Sequence, residues 1–148
     1  KDPAHLRELA GPLLKDSSVL LAQEFLPTAF DWRVGVLNRK PLYVSQYMMA
    51  RKHWQIVQHG PAGSVVEGAS KTLAVADAPE AVVNTALAAA NLIGDGLYGV
   101  DLKQNERGVF VIEINDNPSL EAGVEDAVLK DGLYTAIVQD FIRRIESR

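Results

Sequence analysis

An α+β domain built on a central, largely antiparallel sheet flanked by helices is predicted by three features of the sequence. Residues 97 to 118 alternate polar and apolar side chains on both sides of a turn centred on Glu106-Arg107-Gly108, the pattern of a hairpin. Residues 31 to 37 and 42 to 49 are strand-like runs separated by Asn38-Arg39-Lys40-Pro41, a turn signature, and form a second hairpin. Two stretches, 80 to 93 and about 125 or 131 to 145, carry apolar residues at helical spacing.

Composition bounds the function. At 148 residues the chain fits one domain, or one domain with a piece of another, and can bury a sizeable core. Apolar and charged fractions of 47% and 23% are those of an ordinary globular protein. A net charge of −4 argues against general affinity for nucleic acid or an anionic membrane. The chain has no cysteine, which removes disulfides, thiolate metal sites and cysteine nucleophiles together and is compatible with a cytoplasmic origin. The longest apolar stretch, 81 to 93, is interrupted by Asn84, Thr85 and Asn91, so no membrane span is expected. The chain opens on Lys1 without a charged-then-apolar leader, which fits a processed chain or a piece of a longer one.

Taken in order, residues 4 to 15 place Leu6, Leu9, Leu13 and Leu14 at near-helical spacing, giving a short helix interrupted near Gly11-Pro12. The dense apolar run 19 to 26, ending at Pro27, reads as a buried strand whose end could present backbone groups to the edge of a planar ligand. Residues 60 to 70 read as a glycine-rich loop that lacks the lysine ending of a P-loop. After a strand around 71 to 75, Asp77 is the expected cap of a helix reaching Ile93, with Val82, Val83, Ala86, Leu87, Ala90 and Ile93 inward and Gly94 as its stop. In the last helix Leu129, Leu133, Ile137, Val138, Phe141 and Ile145 form the inward stripe.

In the 97 to 118 hairpin, a three-residue loop with Gly108 supplying a positive φ sets Asp101 opposite Glu113. Gly99, Lys103 and Asn115 then share their face, and Val100, Leu102, Phe110, Ile112 and Ile114 fill the other. Carboxylates opposite each other on a sheet lie about 5 Å apart and repel, so they call for compensation. Asp101, Glu113 and Asn115 supply the hard oxygen chemistry of magnesium. The alternative is a solvated polar face with Lys103 neutralising one acid. Arg33 and Arg51 read either as surface charges or as cationic forks for a phosphate beside that face. His5, His53 and His59 lack zinc-ligand spacing, and no serine sits in a nucleophile elbow.

The succession of Gln23-Glu-Phe-Leu26, Asp31-Trp-Arg33, Met49-Ala-Arg51, Gly99-Val-Asp101 and Glu113-Ile-Asn-Asp-Asn-Pro118 resembles the C-terminal part of an ATP-grasp enzyme, most similar to the RimK-like ligases, over roughly residues 19 to 125. The resemblance implies that residues 1 to 26 end the central ATP-grasp subdomain and 27 to 148 form the C-terminal one. It implies that Gln23, Glu24, Phe25 and Leu26 are the hinge that holds adenine, that Asp31 lies near the ribose, and that Arg33 and Arg51 approach the transferred phosphate. Asp101, Glu113 and Asn115 would bind magnesium, two ions with Glu113 bridging, manganese being able to substitute. The activity implied is an ATP-dependent carboxylate–amine ligase working through an acyl phosphate, with ATP, a carboxylate substrate and an amino-acid or peptide amine as partners. Neither nucleic acid nor membrane is implied, and homo-oligomerisation is left open. The same parts also serve an ATP-grasp kinase acting on a hydroxyl, or a non-catalytic nucleotide-binding module. Two departures stand out. The preceding half, with its phosphate-contacting lysines, is not in this chain, which is therefore expected to be inactive alone. Residues 53 to 60 do not reproduce the Asn-x-x-x-Gly-Gly segment usual in RimK relatives.

Overall fold

The computed structural model describes residues 2–49, 57–59, 65–67 and 69–147. Its elements are α1 (Pro3–Leu13), β1 (Phe30–Leu37), β2 (Lys40–Met48), β3 (Val57–His59), β4 (Val65–Glu67), β5 (Ser70–Leu73), α2 (Glu80–Ile93), β6 (Leu97–Asn105), β7 (Gly108–Asn115) and α3 (Asp131–Glu146). Five strands form one antiparallel sheet in the order β5-β2-β1-β6-β7, and β3 pairs with β4 separately. This is the α+β architecture expected.

Alternation along the strands gives the sheet two unlike faces. On one, Trp32, Val34, Val36, Val44, Val100 and Leu102 pack against Val82, Val83, Ala86 and Ala90 of α2. Polar residues gather on the other, and α3 covers one end of it by setting Leu133 and Ile137 against Leu37 and Tyr43.

Both hairpins turn more tightly than expected. The first uses only Asn38-Arg39, both at positive φ (47° and 63°), the twist that a two-residue connection between right-twisted strands demands. The second uses Glu106-Arg107, since Asn105 pairs with Gly108, whose φ of 136° favours glycine. A two-residue turn by itself would bring Ile112 opposite Asp101. A bulge restores the pairing: Asp101 faces Glu113 and Leu102 faces Val111, leaving Ile112 as the extra residue. Nearer the turn the alternation is therefore shifted, and Val109 packs on the core while Phe110 pairs with Lys103.

Other expectations are corrected. Residues 19 to 26 form no strand: Leu21 is 84% exposed and only Leu26, at 7%, is buried. A strand needs a backbone ladder, and the neighbouring edge strand β7 is bulged at Ile112, so the segment is held there by side chains, Gln23 Nε2 donating to the Ile112 carbonyl (3.2 Å) and Arg107 pairing with Glu24 (2.7 Å). Helix α1 runs through Gly11-Pro12 unbroken, because Pro12 lies in its last turn, where a missing N–H forfeits a single bond. Asp77 ends a short 3₁₀ turn (Val75–Asp77), and Pro79 occupies the cap of α2. Part of the 60 to 70 stretch is strand β4 rather than loop. Ile93, in the last turn of α2, is exposed. In α3 the buried stripe is Leu133, Ile137 and Asp140, at helical spacing; Phe141 sits about 75° and Val138 and Ile145 about 110° or more from its centre, and all three are exposed, as is Leu129 before it.

Asp140 is bonded by Arg143 (2.6 Å) and by Arg144 (2.6 Å), and Arg144 also reaches Asp95 (3.1 Å) at the entrance to β6. Burial would push the Asp140 carboxyl up, but the guanidinium groups of Arg144 and Arg143 more than reverse this and hold it below the usual range. A depressed folded-state pKa contributes stability that is present above the unfolded carboxylate value, about 3.9, and lost as pH falls below it. Asp140→Asn is therefore expected to lower the melting temperature at neutral pH and to flatten its fall on acidification, checked by thermal melts between about pH 7 and pH 2.

Candidate active site

The register of three strands assembles the site. Arg33 on β1 pairs with Asp101 on β6, and Asp101 pairs with Glu113 on β7, so the three side chains form one row across the polar face. Ser45 on β2 and Thr72 on β5 continue this row, hydrogen-bonded to each other at 2.8 Å. A cleft of about 550 Å³ opens over it. Gln23, Glu24, Phe25 and Leu26 wall one side, the Arg33–Asp101–Glu113 row lies within it, and Asp31, Lys103, Tyr47 and Ile112 complete the lining. Eight of the ten residues singled out from the sequence thus share one cleft. Asn115 stands beside it, and Arg51 lies outside the described residues.

Arg33 grips Asp101 with a two-pronged fork, Nε to Oδ1 at 2.7 Å and a terminal nitrogen to Oδ2 at 2.8 Å. That hydrogen bond raises the guanidinium pKa above its ordinary value against the opposing effect of burial, so Arg33 is a fixed cation. Burial pushes the Asp101 carboxyl up, Arg33 pulls it down, and the neighbouring Glu113 pushes it up again; the net direction is upward. Asn115 Nδ2 donates to Asp101 Oδ2 (3.3 Å) and to Glu113 Oε1 (3.2 Å), bridging the two like charges.

Asp31 Oδ1 accepts from Lys103 Nζ at 2.5 Å and from Thr28 Oγ1 at 2.9 Å. Lys103 therefore neutralises Asp31, and the cation beside Asp101 and Glu113 is Arg33. Sequence spacing placed Lys103 on the face of Asp101 but contained nothing about β1, 68 residues upstream, lying next to β6. Tyr47 is a further cleft residue that sequence reasoning missed.

Among the described residues no three His, Cys, Asp or Glu side chains form a metal cluster. The donor set is two carboxylates and a carboxamide, hard oxygen chemistry that fits magnesium with water and phosphate oxygens completing the shell.

The segment after β7 is held close by Gly99, where an added Cβ would stand 2.7 Å from Pro118 Cβ. Gly99→Ala is expected to displace the 115 to 118 segment and to destabilise the domain by about 2 kcal/mol, measured by urea unfolding.

The chain has relatives on both counts, sequence and fold. It is 47% identical over 60 residues to a probable alpha-L-glutamate ligase of Aliivibrio fischeri, covering 40% of this chain and 19% of that protein. It is 32% identical over 125 residues to a probable alpha-L-glutamate ligase of Saccharophagus degradans, covering 83% of this chain and 38% of that protein. The D-alanine–D-alanine ligase of Bacillus anthracis superposes with a TM-score of 0.69 at 15% identity, over 99% of this chain and 51% of that one. No protein-family profile matches. The fold is that of the ATP-grasp enzymes. In sequence the chain is similar to the curated probable alpha-L-glutamate ligases, and its match spans about two fifths or less of their length.

Proposed function

We propose that this chain is the magnesium–ATP end of an ATP-dependent carboxylate–amine ligase. In this reading residues 1 to 26 end the central ATP-grasp subdomain and 27 to 148 form the C-terminal one. The observation that carries it is the row Arg33–Asp101–Glu113, with Asn115 beside it, within a cleft walled by residues 23 to 26. The backbone of Gln23 to Leu26 receives adenine, and Asp31, held by Lys103 and Thr28, faces the ribose. Asp101, Glu113 and Asn115 would hold magnesium, with two ions expected and manganese as a substitute. Bound there, the ions supply Lewis-acid stabilisation to phosphate oxygens. Arg33, with Arg51, meets the charge that develops on the transferred phosphoryl group.

The chemistry is two displacements. An oxygen of the substrate carboxylate attacks the terminal phosphorus and ADP leaves, giving an acyl phosphate. An amine nitrogen then attacks the acyl carbon, the phosphate leaves, and the amine proton passes to solvent or base. The relatives' names make glutamate a reasonable first amine or acid to supply. The test is phosphate release by the longest natural polypeptide carrying this chain, given magnesium–ATP and glutamate with candidate carboxylates and amines. Release that needs both acid and amine supports ligation. A stable phosphorylated alcohol would assign a kinase, and binding without turnover a nucleotide-binding module. This chain by itself is expected to release no phosphate, because positioning supplies most of the rate in phosphoryl transfer.

A further inference from the structure

Tyr47 joins the functional row to a buried acid that the ligase chemistry does not call on. The Arg33 guanidinium carbon lies 5.1 Å from the centroid of the Tyr47 ring, a cation–π contact. At its far end the Tyr47 hydroxyl donates to Glu125 Oε1. Glu125 is 1% exposed, and its other oxygen accepts the Glu121 backbone N–H at 2.8 Å. Burial and the Glu125 hydrogen bond both raise the phenol pKa, so the hydroxyl remains a donor. The ring is thereby pinned at its tip by a carboxylate and carries a cation on its face.

Arg33 is held by two contacts of different kind. The Asp101 fork engages its N–H groups in the plane of the guanidinium, while Tyr47 meets the guanidinium through a π face. A metal ion on Asp101 competes with Arg33 for the same two carboxylate oxygens, whereas the ring contact is independent of them. We propose that Tyr47, anchored by Glu125, is a positioning residue that keeps the Arg33 guanidinium aimed into the cleft when its hold on Asp101 is loosened by magnesium and nucleotide. The proposal rests on the reading of Asp101 as a magnesium ligand and of Arg33 as a phosphoryl contact.

A purely structural role would be to fasten the segment that follows β7. That segment has a second, separate fastening to the sheet, Thr72 Oγ1 donating to the Val124 carbonyl at 2.7 Å, and Thr72→Val removes it without touching Arg33. The experiment follows the Arg33 Nε–H signal by NMR in this chain, as solvent-exchange rate and ring-current shift, without ligand and with magnesium and a non-hydrolysable ATP analogue. Tyr47→Leu is expected to remove the ring-current shift and to speed exchange about tenfold in the presence of magnesium and analogue. Tyr47→Phe, which keeps the ring and loses its anchor, should recover most of the shift, and Thr72→Val should leave Arg33 as in wild type. In the longest natural polypeptide the same Tyr47→Leu change should lower kcat about tenfold and leave KM for ATP within about threefold. Unchanged Arg33 exchange in Tyr47→Leu, or an equal disturbance in Thr72→Val, overturns the proposal. If Tyr47→Leu fails to fold, the contrast between Tyr47→Phe and Thr72→Val decides by the same signal: loss of the Arg33 shift and protection in Thr72→Val with their retention in Tyr47→Phe overturns it. A protein without ligase activity would refute the functional reading, while the ligand-free signal would still report whether the ring holds Arg33.

Discussion

Arg33→Met is expected to destabilise the domain by about 2 to 3 kcal/mol in denaturant unfolding, more than the loss of one surface ion pair, for which about 0 to 1 kcal/mol is usual. The reason lies in what it leaves behind. Asp101 keeps its burial and its neighbour Glu113 but loses both prongs of the fork, and a carboxylate stranded in that way is costly. The two side chains of the pair are 19% and 17% exposed, so water relieves part of the cost, and the expectation is set below that for a fully buried pair. Adding Asp101→Asn to Arg33→Met removes the stranded charge, and the double variant should recover at least half of the loss. The double-mutant cycle is the measurement. Additive losses in the cycle would show that the fork contributes nothing as a pair, leaving the two residues related only by strand register.

Glu113→Gln separates the ligand-free molecule from the ligated one. Without metal, the substitution removes one of two like charges on paired residues, and Asn115 already bridges them through its Nδ2 donor. Its effect should stay within about 0.5 kcal/mol of zero and lean towards stabilisation. With magnesium and a non-hydrolysable ATP analogue at about 100 times the dissociation constant, the wild-type polypeptide gains about 2.7 kcal/mol from binding, and the variant should lose most of that gain. Thermal melts of both proteins, with and without ligand, give the two differences. Equal ligand-induced shifts would take Glu113 out of the metal site. A large loss without ligand would make it a structural acid.

Local chemistry made much of this molecule legible before any coordinates. The sequence patterns of 31 to 49 and 97 to 118 indicated hairpins because a period of two and a turn are properties of neighbouring residues, and both hairpins are present. Gly94 stopping α2 and the pairing of Asp101 with Glu113 are of the same kind, although the pairing came about through a two-residue turn and a compensating bulge. Turn length and bulge shift the register in opposite directions, and only their combined effect is constrained by the need to keep Val100, Leu102 and Ile114 towards the core.

What the sequence by itself determined was therefore the two hairpins, the α+β class, and a set of polar residues spaced to share a face. The tertiary structure decided which strands are neighbours, and with that the partners of the charges in the cleft, Arg33 with Asp101 and Lys103 with Asp31, and it brought Glu125 to Tyr47. Those pairs join residues 68, 72 and 78 positions apart, a range over which no periodicity carries information. The tertiary structure also decided the fate of the apolar run 19 to 26. Composition said buried strand, but a strand exists only where another backbone completes its ladder, and in this fold the side chains of Gln23 and Glu24 hold the run beside a bulged edge.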